Sequence, residues 1–137
     1  MRPENLKTKI FLDGGDPQEA EEIIQVLGFL DGQTTNPTLI SRNPAVTGRL
    51  ERGDYFSEDE ILENYRSIVN QFASLIPDGS ISIEVNADND TTAEEMLAQA
   101  RQMFSWIPNA HIKLPTIREG LRAAEQAVKE MVDSVIV

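Results

Sequence analysis

The 137-residue chain has no cysteine and one histidine. Disulfide frameworks, thiol catalysis, thiolate metal sites and multi-histidine metal centres are thereby removed together, and no metal site is expected. Positive charge is scarce: 12 Lys and Arg face 23 Asp and Glu, for a formal net charge of -11 and a pI near 4.4. Nucleic-acid binding draws on clustered cations along the phosphate backbone, so no such partner is expected. Also absent is any apolar run near the roughly 18 to 20 residues that span a bilayer, and the start, Met1-Arg2-Pro3-Glu4-Asn5, lacks a signal-peptide core. The expectation is a cytoplasmic protein with no membrane contact. Against these absences stand 40% hydrophobic and 26% charged residues. That is globular composition, sufficient at this length for a core, and one domain over residues 1–137 is expected.

Helix start signals punctuate the chain. Asp16-Pro17-Gln18-Glu19 offers a cap, a proline at the first helical position and a glutamate three residues after the cap. Ala20, Ile23, Ile24 and Leu27 follow on one face, stopped by Gly28. Ser57 to Glu60 opens a second helix with Ile61, Tyr65, Ile68, Val69, Phe72 and Ile76 at helical spacing. Thr92 to Glu95 opens a third, burying Met96, Leu97, Ala100, Met103 and Phe104. Thr116 to Glu119 opens a fourth, with Leu121, Ala124 and Val128 on one side. Between them lie β-type runs at 9–13, 29–35, 80–85 and 110–114, and 132–137 either begins another strand or frays. The order βαβαβαβα implies an α/β fold with a parallel sheet and right-handed crossovers. The polar stretch 41–56 reads as a loop after a short helix begun by Asn36-Pro37. No repeat, low-complexity tract or linker is visible.

Strand alternation puts Ile81, Ile83 and Val85 on one face and Ser82, Glu84 and Asn86 on the other. By the same count Lys113 opposes Ile112 and Leu114, and Asp13 opposes Ile10 and Leu12. Asp13 and Lys113 each lie three residues before a helix cap, at the carboxyl end of a strand, the rim where parallel α/β proteins place ligands. Thr34 and Asn36, just before Pro37, occupy the same end of the second strand. Plainer readings stand beside this one. A lone lysine in a strand often guards an edge, and alternation is what any one-sided sheet shows. His111 reads as a satisfied core histidine, Trp106 and the methionines as core, and the first-turn acids as solvated faces that suit the helix dipole. Gly14-Gly15 has no dinucleotide or Walker spacing after it.

The run Leu30-Asp31-Gly32-Gln33-Thr34-Thr35-Asn36-Pro37-Thr38-Leu39-Ile40 resembles the second-strand signature of the transaldolases. Phe11-Leu12-Asp13 is similar to that family's first-strand aspartate segment, Ile83-Glu84-Val85 to its third-strand glutamate segment, and Ile112-Lys113-Leu114-Pro115-Thr116 with Glu119-Gly120-Leu121 to the segment around its Schiff-base lysine. The resemblance runs from about residue 9 to residue 129. It implies four βα units of a TIM (β/α)₈ barrel of transaldolase type, a half barrel, since such barrels rarely close below about 200 residues. It also implies transfer of a dihydroxyacetone unit between sugar phosphates in the pentose phosphate pathway, without metal or organic cofactor. Lys113 becomes the nucleophile, Glu84 with Thr34 moves protons through a water, Asp13 acts on the substrate hydroxyl beside the cleaved bond, and Asn36 hydrogen-bonds the dihydroxyacetone unit. Attack on a ketone requires an unprotonated amine, a form that desolvation favours.

Three departures accompany the resemblance. Residues 131–137 contain no counterpart of the family's fifth-strand Asn-x-Thr pair, the serine and arginines that hold the substrate phosphate have no counterpart after Lys129, and Asn86 stands where an aspartate is frequent. A half barrel would leave strand edges at Asp13 and Lys113 unpaired, so self-association or a C-terminal half as partner is expected. Alternatives are a class I fructose 6-phosphate aldolase, a non-catalytic barrel fragment that associates with another chain, and a receiver-like phosphoacceptor domain.

Overall fold

The computed structural model describes residues 2–131 and 135–136. Its elements run β1 (Phe11–Asp13), α1 (Pro17–Leu27), β2 (Gly32–Thr34), α2 (Pro37–Ser41), α3 (Pro44–Glu51), α4 (Glu58–Leu75), β3 (Ser80–Glu84), α5 (Ala93–Phe104), β4 (Ala110–Lys113), α6 (Arg118–Met131) and β5 (Val135–Ile136). The strands are parallel and lie in the order β1-β2-β3-β4-β5, each beside its neighbour in sequence. Right-handed crossovers, the rule for parallel neighbours joined in sequence order, put the crossover helices α1, α4, α5 and α6 on one face, as in a singly wound barrel. A doubly wound receiver places β1 between β2 and β3. Here β2 takes that middle position, which sets the receiver reading aside. The architecture is half of a (β/α)₈-type barrel.

Local chemistry accounts for the helix ends. Asp16 accepts from the Gln18 N–H at 3.0 Å, Pro17 occupies the first turn, and Gly28, at φ 81°, donates its N–H to the Ile24 carbonyl at 2.7 Å to close α1. Reciprocal capping boxes start α4 (Ser57 with Glu60) and α5 (Thr92 with Glu95). On the sheet's helix side, Ile81, Ile83, Ile112 and Leu114 pack with Val69 and Phe72 of α4 and Met96 of α5. Tyr65 and Trp106 meet edge to face, with ring centroids 5.7 Å apart.

Several sequence expectations change. Residues 41–56 are not all loop: Asn43 caps α3, accepting the Ala45 N–H at 3.0 Å, with Pro44 in the first turn. This repeats the Asn36-Pro37 signal, but only Val46 of α3 is buried, too little to register as an amphipathic face. On α6 the packed residues are Ala123, Ala124 and Ala127, whereas Leu121 and Val128 are 50% and 53% exposed. Small residues let α5 and α6 approach closely, so that helix buries its alanines rather than its larger side chains. Phe104 is likewise exposed at the end of α5, as are Leu27 at the end of α1 and Ile61 near the start of α4. Finally, β5 pairs with β4, Ile112 opposite Val135 and Lys113 opposite Ile136. The Lys113 strand therefore has a neighbour on each side, and among the described residues the sheet's two edges are the Asp13 strand and the two-residue β5. The rest of 132–137 lies outside the described residues.

Candidate active site

Strand lengths and register deliver four polar side chains to one rim. β1 ends on Asp13, β2 on Thr34, β3 on Glu84 and β4 on Lys113. Partnered residues in a parallel ladder project to the same face, and the register sets Asp13 beside Thr34 and Glu84 beside Lys113. Each pair makes contact. Thr34 Oγ1 donates to Asp13 Oδ1 at 2.6 Å. Lys113 Nζ lies 3.0 Å from Glu84 Oε2, with the two side chains 29% and 23% exposed, shielded yet open to a ligand. Thr34, which the resemblance couples to Glu84 through a water, donates its hydroxyl proton to Asp13. Ser82 lies between the two pairs, fully buried, opposite Thr34 on one side and His111 on the other. His111 is half-buried on this inner face, with Nδ1 3.3 Å from the Asn109 carbonyl, so it lines the sheet rather than the helix-packed core.

Asn36 caps α2, its Oδ1 accepting the Leu39 N–H at 2.9 Å. Its amide donors have no protein partner among the described residues. Behind it, the buried Asn43 side chain donates to the Gly15 carbonyl at 2.9 Å. A Cβ on Gly15 would collide with the Leu39 carbonyl, so glycine is what permits the β1–α1 turn and α2 to touch. These contacts close a cleft of about 470 Å³ whose lining includes Asp13, Asn36, Arg42, Glu84 and Asn86. Arg42 is the cation of that lining. A larger groove of about 780 Å³, lined by Ile40, Leu50, Phe56 and Met103 among others, runs on the helix side and contains none of Asp13, Glu84 or Lys113.

Sequence pattern missed Tyr65, read there only as one more apolar helix position. Its hydroxyl donates to the Glu84 carbonyl at 3.1 Å and accepts the Glu84 N–H at 3.0 Å. Burial pushes its phenol well above the ordinary tyrosine range, which keeps the donor proton in place. Nothing in the spacing of α4 distinguishes a ring that packs from a ring that also holds a strand.

Sequential parallel strands with helices on one face, and acid, hydroxyl, amide and amine gathered where the strands end, are the features of a βα-barrel protein, whose ligand sites lie at that rim. The profile of the transaldolase/fructose-6-phosphate aldolase family matches residues 10–134. The chain belongs to that family. It is 34% identical over 122 residues to a probable transaldolase of Dehalococcoides mccartyi, covering 89% of this chain and 47% of the relative. Similar proteins include probable transaldolases of Streptococcus agalactiae, 35% identical over 89% of this chain and 46% of the relative, and of Lactiplantibacillus plantarum, 34% identical over 85% and 43%. The chain spans about half the length of the curated relatives it matches. No helix of the described residues is long and apolar enough to cross a membrane.

Proposed function

We propose that residues 1–137 form one domain, the first four βα units of a transaldolase-type barrel, whose rim transfers a dihydroxyacetone unit between sugar phosphates through a Schiff base on Lys113. The observation that carries this is the 3.0 Å approach of Lys113 Nζ to Glu84 Oε2 at the strand ends, beside the Thr34–Asp13 pair. Glu84 is placed to take the ammonium proton, freeing the amine to attack the ketone carbon, and to return a proton as the carbinolamine loses water. The resulting iminium withdraws electrons while Asp13 accepts the proton of the hydroxyl next to the bond that breaks. Thr34 holds that carboxylate in place. Asn36 has amide donors free to orient the dihydroxyacetone hydroxyls, and Arg42 offers the cleft a charge-assisted partner for a phosphate. No cofactor enters this reaction, and the pathway setting it suits is the cytoplasmic pentose phosphate pathway.

The test is borohydride trapping with dihydroxyacetone, read by intact mass and peptide mapping. Adduct is expected on Lys113 and not on Lys7, Lys9 or Lys129, because capture needs an amine held against the carbonyl carbon. Adduct spread over those three lysines with none on Lys113 sinks the assignment. Lys113→Met, nearly isosteric in its stem, should abolish trapping and leave the chain folded.

A second reading has its own support. The residues cover about half of the relatives' length, and on this reading they are a barrel half that acts by association, with turnover belonging to the barrel once its remaining strands are supplied. Acceptor preference separates a transaldolase from a fructose 6-phosphate aldolase: with fructose 6-phosphate as donor, an aldolase releases free dihydroxyacetone and a transaldolase requires an acceptor aldose phosphate.

A further inference from the structure

The route of β2 out of the sheet creates a local deficit that one side chain fills. In a parallel ladder each carbonyl accepts from the residue one past its partner. The Thr35 N–H follows this pattern, donating to the Ser82 carbonyl at 3.3 Å, with Ser82 opposite Thr34. Continued two residues on, that register would set Glu84 opposite Asn36, and its carbonyl would take its proton from residue 37. Residue 37 is Pro37, which has no N–H, and the chain turns there into α2. The Glu84 backbone on its β2 side would be left without a strand partner at the point where the candidate carboxylate must be held. Tyr65 supplies both missing functions through one oxygen, donating to the carbonyl and accepting from the N–H. The ring is 4% exposed, set by its contact with Trp106 and by the body of α4.

We infer that Tyr65 is a positioning residue of the active site: standing in for the departed second strand, it fixes the Glu84 backbone so that the carboxylate meets Lys113. The inference rests on the proposed roles of Lys113 and Glu84. Tyr65 reaches the reacting groups only through Glu84, and its ring is as much a part of the core as its neighbours. Removing the hydroxyl alone separates the two jobs, since Tyr65→Phe keeps the packing and leaves the Glu84 backbone groups unpaired. A carboxylate displaced by even a fraction of an ångström loses efficiency as a proton carrier, because such steps need hydrogen-bond geometry.

The experiment measures the rate of borohydride-trapped adduct on Lys113 against dihydroxyacetone concentration in three proteins: the parent, Tyr65→Phe and Ile68→Val. Ile68 is buried one turn along the same helix, so its truncation lowers stability without touching the hydroxyl. Tyr65→Phe should slow the saturating rate by about 10- to 100-fold with little change in the half-saturating concentration, and hydrogen exchange of the Glu84 amide should accelerate by a similar factor. Ile68→Val should trap at the parent rate. If the Glu84 amide is deprotected in Tyr65→Phe but the saturating rate is unchanged, the tyrosine is only structural and the inference is overturned. Equal slowing by Ile68→Val overturns it too, since stability would then be the cause. A parent that traps nothing on Lys113 overturns the functional reading and this role with it, an outcome distinct from a parent that traps and a Tyr65→Phe variant that matches it.

Discussion

Asp13 and Glu84 are carboxylates on the same face at equivalent strand ends, yet their neighbours suit them to different parts in the proposed reaction. Glu84 faces an amine at 3.0 Å, whereas Asp13 faces a hydroxyl at 2.6 Å that donates to it. A group beside the nucleophile can serve the making and dehydration of the carbinolamine. A group one strand pair away, held as an acceptor, can serve the later cleavage. Glu84→Gln should therefore slow Schiff-base trapping on Lys113, and Asp13→Asn should leave trapping intact while slowing carbon–carbon cleavage. Each effect should be about 10² to 10⁴ fold, the usual range for a general acid or base. Trapping and cleavage rates measured on both variants decide the matter, and equal loss of both steps in both variants contradicts the division. The candidate residues themselves were readable from alternation and from their distance to helix caps, since both depend only on local order. Their pairing was not. Thr34 meets Asp13 because register between strands sets the partner, and register is a property of two distant segments. Tyr65 was hidden for the same reason, its partner lying 19 residues away in sequence.

Helices with strong local instructions form where the sequence places them. α1, α4 and α5 each carry a capping signal followed by an apolar face, so local chemistry and packing agree. The short helix α3 shows what happens when only one of the two is present: its Asn43-Pro44 start is clear, its apolar face is nearly absent, and it was read as loop. Its stability depends on its cap and on Asn43 reaching back to the Gly15 carbonyl. Removing that side chain deletes an N-cap and leaves a buried carbonyl unpaired. Asn43→Ala should cost about 2 to 4 kcal/mol, from a cap of about 1 and an unsatisfied buried group of about 1 to 3. Denaturant unfolding checks the figure, and a loss below about 0.5 kcal/mol would show that solvent replaces both bonds. α6 carries the complementary lesson. Its larger apolar side chains mark a plausible face by spacing, but the space available beside α5 admits alanines, and tertiary fit overrides the pattern. The element was legible and its orientation was not.

For the whole molecule, the pairing of β5 with β4 changes what assembly is possible. Edge strands with unpaired backbone groups are templates for association, and a half sheet also presents its inner face, where Phe11 on β1 is 44% exposed. If both edges were open, two copies could meet edge to edge with four strands each and approach an eight-stranded closure. With β5 on the β4 edge, each copy brings five strands, and the same closure would hold ten. Strand number, tilt and register are linked in a barrel, so two five-stranded halves cannot adopt the eight-stranded geometry unless β5 leaves. The net charge of -11 adds a further repulsion between copies. The 137-residue polypeptide is therefore expected to associate weakly, through the β1 edge, the two-residue β5 edge and the inner face, rather than to close into a pseudo-barrel, and to transfer dihydroxyacetone poorly. Ending the chain after Met131 removes β5 and frees the β4 edge, which should raise self-association measurably in sedimentation velocity at equal protein concentration. Association should strengthen further in 1 M salt, where the screening length falls to about 3 Å from about 10 Å at 0.1 M and the repulsion is muted. The same truncation should make the chain a better acceptor for a polypeptide supplying the remaining strands, because that partner's first strand would otherwise compete with β5 for the Lys113 strand. A shortened chain that stays as monomeric as the parent at both salt concentrations, and that gains nothing in complementation, would show that the β4 edge does not govern assembly.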